Sequence, residues 1–180
     1  FLCVRGTGKA WHPSVGAWSK ANLSRFAHEW RKYLRGELPI KDDTQVTAAD
    51  VRRCNLILFG DPASNAWIAK ALPQLPLRRT RDAFAMGKSR FSSNQHAPAL
   101  IYPSPFPGAR DKYVVLNSGH TFHEKELASL IYLLFPRHGD WAVMKVSEKS
   151  SAKLPFHVDE QVVGVGFFDE RWRLLPASQK

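Results

Sequence analysis

The stretch "NSGHTFHE" at 117–124 gathers a serine, two histidines and a glutamate at the end of an apolar run. His120 is the natural acid/base candidate, because an imidazole titrates near neutral pH. Ser118 is the matching nucleophile candidate, with Asp61 as a further catalytic candidate and His123 in support. Two stronger chemistries fail on spacing. His120, His123 and Glu124 read H-x-x-H-E, neither H-E-x-x-H nor H-x-x-E-H, so the carboxylate falls at the wrong helical step for a metalloprotease and no metal is expected. Ser118 lacks the first glycine of G-x-S-x-G, and that elbow occurs nowhere in the chain. A structural reading competes. Thr121 and Glu124 have capping-box spacing, and Gly119 suits a turn. Capping leaves Ser118, His120 and His123 unexplained.

Two further loops resemble ligand cradles. "RGTGKAW" offers Arg5, Thr7 and Lys9 beside two glycines, yet matches neither the P-loop nor the dinucleotide fingerprint. A tight turn accounts for it better than an anion site does. "GDPASN" offers Ser64 and Asn65. Asp61 would repel a phosphate there, and it suits the N-cap of the following helix with Pro62 in the first turn. The ligand-binding candidates are therefore Arg5, Thr7, Lys9, Ser64, Asn65, Asn117 and His123. No cofactor is expected.

These loops need elements to hold them. "FLCVRG", "NLILFG", "PALIYP", "YVVLNSG", "WAVMKV" and "VVGVGFF" read as strands, with "LPLRRT" as a short one. Leu23, Phe26, Ala27, Trp30, Tyr33 and Leu34 share a helical face after Pro13, with Gly36 as the stop. Thr47 and Asp50 form a capping box for a short helix, and another helix is expected over 122–135. Apolar strand runs without clear alternation suggest strands covered on both faces. The sequence thus predicts a three-layer α/β fold of flavodoxin or Rossmann type. Its sheet is mostly parallel and flanked by helices, and a small β-hairpin is inserted around 82–92, turning near Gly87 and Lys88. If the strands before the three loops are neighbours, the loops share one rim, where α/β sheets bind ligands.

Bulk properties set the limits. The chain has 180 residues, 44% hydrophobic and 23% charged, which suits one domain over 1–180 with a polar tail at 174–180. No apolar run approaches the roughly 20 residues of a membrane span. The net charge is +10, but the basic residues are scattered along the sequence, so nucleic acid is not the expected partner. Cys3 and Cys54 are expected to be free thiols, with a disulfide left open. The abrupt start inside a strand suggests a piece of a longer polypeptide.

Several segments together resemble a known domain: "RGTGKAW", "WRKYLRGELPIKDDTQVT", "NLILFGDPASNAWIAKAL", "LIYPSPFPGARDKYVVLNSGHTFHE" and "GDWAVMKV". Over residues 1 to about 169 the chain is similar to a domain of bacterial, planctomycete-type proteins of the prolyl-oligopeptidase-like serine hydrolase group. The resemblance implies a position C-terminal to the α/β-hydrolase part, and secretion or a periplasmic location. It implies a non-catalytic accessory role, with the hydrolase domain of the same polypeptide as partner and a peptide or ester as substrate. No catalytic residue carries over, because the elbow has no counterpart here. The alternative is a small-ligand-binding or hydrolytic domain using the strand-end loops.

Overall fold

The structure, a computed structural model, describes residues 1–118 and 139–175. The expected features at Gly119, His120, Thr121, His123 and Glu124, and the helix over 122–135, lie outside the described residues.

Among the described residues, ten strands and three α-helices order themselves as β1 (Leu2–Arg5), α1 (Pro13–Leu34), β2 (Ile40–Asp42), α2 (Ala48–Arg53), β3 (Leu56–Phe59), α3 (Ala66–Ala71), β4 (Arg78–Arg79), β5 (Ala83–Met86), β6 (Ser89–Ser92), β7 (His96–Pro103), β8 (Tyr113–Leu116), β9 (Trp141–Val146) and β10 (Glu160–Gly166). Seven strands form one sheet in the order β10-β9-β7-β8-β3-β1-β2, and β4-β5-β6 form a second.

The expected three-layer, mostly parallel fold is corrected. Among the described residues strand exceeds helix, 33% against 26%. Pairing is parallel only across β2, β1, β3 and β8. It is antiparallel from β8 through β7 and β9 to β10. The reason lies in the connections. A parallel neighbour needs a crossover of a dozen or more residues, usually helical. The link 104–112 between β7 and β8 is short and carries Pro105, Pro107 and Gly108. It can only fold back. The link 147–159 between β9 and β10 is also non-helical. The hairpin turning at Gly87 and Lys88 forms between β5 and β6 and gains β4 as a third strand.

The large sheet does alternate. Leu2, Val4, Leu56, Leu58, Leu100 and Val143 face one side. Against them pack Val51 of α2, Ile68 and Ala71 of α3, Phe84 and Met86 of the small sheet, and Phe106. The intervening residues face α1: Cys3 and Phe59 meet Leu23 and Phe26, while Ala97, Ala142 and Met144 meet Val15 and Trp18. The α1 stripe therefore sits earlier than expected. Val15 and Trp18 are fully buried, whereas Tyr33 and Leu34 at the other end are exposed. The helix ends at Leu34, and its left-handed cap is Arg35 at φ 52°, one residue before Gly36.

Both cysteines are free thiols, and burial pushes Cys3 up to about 12 with the chain's amino terminus opposing. No helix among the described residues is long and apolar enough to cross a membrane.

The Thr47 and Asp50 capping box forms at α2. Asp50 is held down to about 2, first by the Lys41 ammonium at 2.9 Å and then by the Thr47 amide and hydroxyl. A depressed carboxylate contributes stability that is complete above its unfolded value and fades as pH falls through its folded value. Stepwise acidification from pH 3.8 toward 2 should therefore weaken the wild type more steeply than Asp50→Asn. Urea unfolding at each pH reads the difference, which should be modest because Lys41 is well exposed. Parallel slopes for the two proteins would contradict it.

Candidate functional site

Strands β1, β3 and β8 are adjacent and parallel, so the loops leaving their carboxyl ends stand side by side. The chain leaves β1 toward α1 on one face and leaves β3 toward α3 on the other. The crevice between β1 and β3 is therefore the topological switch point, where α/β sheets bind ligands.

Here that crevice is plugged by side chains of the chain itself. Asn65 is fully buried. Its Nδ2 donates to the carbonyls of Val4 and Phe59 at 3.1 and 3.0 Å, tying the ends of β1 and β3 together. Its Oδ1 accepts from the amides of Trp67 and Ile68, making Asn65 the N-cap of α3. The cap expected at Asp61 is thus four residues later. A cap must sit directly before the first helical residue, and residues 61–64 instead form a separate turn.

Asp61 organises that turn. Oδ1 accepts from the Ala63 and Ser64 amides and the Ser64 hydroxyl at 2.9–3.1 Å. Oδ2 accepts from the Trp11 amide at 2.7 Å, binding the loop after β1 to the loop after β3. Ser64 in turn accepts from the Asp61 amide. Neither group is left to activate the other toward a substrate.

The glycines of "RGTG" serve the same junction. A Cβ on Gly6 would overlap the Ser64 carbonyl oxygen, and the Gly8 amide donates to that oxygen at 2.9 Å. The Thr7 amide and hydroxyl both donate to Asp43 Oδ1, whose Oδ2 accepts from the Ala66 amide. Burial raises the Asp43 carboxyl, but the donors Ala66, Thr7 and Thr44 outweigh it and hold it below the usual carboxylate range. Three amides of this loop, those of Thr7, Gly8 and Trp11, are thus already donating inward, which removes them from an anion cradle. Arg5 pairs with Asp42 at 2.6 Å, and Lys9 is exposed.

Asn117 fastens the third loop. It is buried, with φ 52°. Oδ1 accepts from the Gly60 amide at 2.8 Å, and Nδ2 donates to the Gly60 carbonyl at 3.0 Å and to Pro98 at 3.3 Å. Ser118 follows it, half-buried, while His120 and His123 lie outside the described residues. The structure thus brings Asp61, Ser64, Asn65 and Thr7 into one hydrogen-bonded junction and joins Asn117 to it through Gly60. Arg5 and Lys9 stand apart, toward solvent.

Beside this junction, on the α1 side, lies a cleft of about 1040 Å³. Leu23, Ala27, Ile40 and Phe59 give it an apolar wall, and Arg5, Lys9, Lys20 and Arg81 bring four cations to its lining. No acidic side chain is among its described lining residues. Arg81 was not legible as a partner of Trp11 and Lys20, because it comes from a distant segment. Among the described residues, no three of His, Cys, Asp and Glu converge on a metal-sized site. No protein-family model, no curated protein and no solved structure matches the chain.

Proposed function

We propose that this chain is a non-catalytic accessory domain of a bacterial serine hydrolase of the prolyl-oligopeptidase kind, contributing a binding surface and no reacting groups. The observation that carries the reading is the commitment of Asp61, Ser64, Asn65 and Asn117 to holding loops together. A nucleophile needs a base within reach that is free to take its proton. Ser64 lies 2.9 Å from Asp61, but that carboxylate oxygen already receives two amides. The segment resemblance supplies the partner class. The edge strand β10 supplies a surface suited to packing on another domain: Val162, Val163 and Val165 are 40–51% exposed, and Phe167 beyond them is 60% exposed.

A second reading is favoured by the cleft. Four cations around an apolar wall suit a small ligand, or a peptide end, that carries a negative group on an apolar body. The two readings are compatible, since a cleft can present substrate to a neighbouring catalytic domain.

The test is turnover by the purified chain, with p-nitrophenyl acetate and a prolyl p-nitroanilide as substrates. Hydrolysis should not exceed the buffer rate, and Ser64→Ala should change nothing. Turnover that is abolished in Ser64→Ala, Ser118→Ala or His120→Ala would overturn the reading.

A further inference from the structure

Arg79 is the one basic side chain in the "LPLRRTR" run that points inward. Leu75, Leu77 and Arg79 are buried with period two, while Arg78 and Arg81 are exposed. Arg79 is 8% exposed, and its Nε and Nη1 atoms are buried without a hydrogen-bond partner among the described residues. Its guanidinium carbon lies 5.9 Å from the ring of Trp11 and 5.7 Å from that of Phe84. Aromatic faces attract a cation but accept few of its five N–H donors. The nearby carboxylate of Asp61 favours the charged form, yet its oxygens are taken by Trp11, Ala63 and Ser64. Burial outweighs it and brings Arg79 down to about 10, so the guanidinium still carries its charge at neutral pH.

A buried cation with orphaned donors is costly to keep unless something accepts from them. The surroundings show a route for an acceptor. Trp11, whose ring stacks on Arg79, also lines the cleft. Arg81, two residues on, lines it as well, and its carbonyl is fixed by His12 Nε2 at 2.7 Å. Trp11 thus belongs both to the lining of the cleft and to the surroundings of the guanidinium.

We propose that Arg79 anchors an oxyanion site behind Trp11, which takes a carboxylate or phosphate group entering from the cleft. Arg81 stands at the entrance and Arg79 makes the charge-assisted hydrogen bonds inside, where screening by water is least. Asp61 keeps the guanidinium charged without occupying its donors. The site recognises a terminal anionic group and leaves the apolar part of the ligand to the cleft. It stands independently of any hydrolase partner.

The test is thermal unfolding of wild type, Arg79→Met and Arg79→Lys at constant ionic strength. Sodium acetate and sodium phosphate are the probes, with chloride as reference. The wild-type midpoint should rise along a saturable one-site curve with at least one probe. Acetate and phosphate separate the two ligand chemistries. Arg79→Lys should weaken the apparent affinity about tenfold, because a point charge replaces the planar fork, and Arg79→Met should abolish the response. Without either probe, Arg79→Met removes a buried charge with unmet donors and also the cation facing Asp61, so its stability there is the reference against which each probe's shift is read. An unsaturable rise of equal size in wild type and Arg79→Met would be general salt exclusion and would overturn the site. A loss of stability in Arg79→Met that is the same with and without probe would assign Arg79 to packing alone and would also overturn it. Should Arg79→Met fail to fold, the Nε–H resonance of Arg79 in the wild type decides: it shifts on titration with the probe if the site exists and stays fixed if it does not.

Discussion

Asn117→Ala is expected to lose about 3–5 kcal/mol of folding stability, measured by urea unfolding with an unchanged slope. The side chain is 1% exposed and satisfies three backbone groups, the amide and carbonyl of Gly60 and the carbonyl of Pro98. Alanine leaves the buried Gly60 amide without its acceptor, at about 1–3 kcal/mol. It also places a Cβ residue at φ 52° with no local hydrogen bond, a further cost of about 1–2 kcal/mol. Asn117→Gly separates the two contributions. It relaxes the backbone while losing the same side-chain bonds, so it should recover about 1 kcal/mol of the loss. Asn117→Asp should be at least as damaging as alanine, because it sets a carboxylate against two carbonyl oxygens. A loss below 1 kcal/mol for Asn117→Ala would mean that the loop after β8 is not fastened as described.

Asp61→Ala should cost about 3–5 kcal/mol, by a different route. Four donors lose the carboxylate: the amides of Trp11 and Ala63, and the Ser64 amide and hydroxyl, which keep only the Asp61 carbonyl. The turn 61–64 then no longer holds the loop after β1, and Arg79 loses the carboxylate that favours its charge. This second effect predicts non-additivity. Arg79→Met made in the Asp61→Ala background should recover part of the loss, because the uncompensated cation leaves with it. Strict additivity of the two changes would show that Asp61 and Arg79 do not act on each other.

Much of this junction was legible in part. The three loops were identifiable because each follows an apolar run and opens with residues that turn the chain. The adjacency of β1, β3 and β8 was only a condition of the shared rim, and the fold meets it. The roles did not follow. Asn65 and Asn117 read as ligand donors, yet an amide that both donates and accepts is also the side chain best suited to bridge two strand ends. Nothing in the local spacing distinguishes these uses. Asp43 lay unmarked in a polar connector. Its partners, Thr7 and Ala66, are 36 and 23 residues away, and it was β2, an edge strand missing from the sequence reading, that brought it to them.

The expected mostly parallel, helix-flanked sheet does not form: the large sheet is mixed, and a separate three-stranded sheet stands beside it. The apolar runs of β7 and β9 look like those of β1 and β3, because a strand between neighbours is buried on both faces whatever its direction. Direction is carried by the connections, and the nine residues between β7 and β8 were too few for a crossover. The run 75–79 held a comparable clue. Its period of two places Arg79 on the same side as Leu75 and Leu77, which marks an arginine due for burial. The cleft itself left no local trace, because Arg5, Lys20, Ile40 and Arg81 meet only after folding.

Native-state amide hydrogen exchange tests the central claim, that the polar residues at the strand ends form a locked frame. The amides of Trp11, Gly60 and Ala63 donate to Asp61 or Asn117 side chains and to no secondary structure. They should nevertheless exchange as slowly as the amides within β1 and β3, through opening of the whole frame. Exchange orders of magnitude faster than in those strands would show loops free to close around a substrate, and would contradict the account.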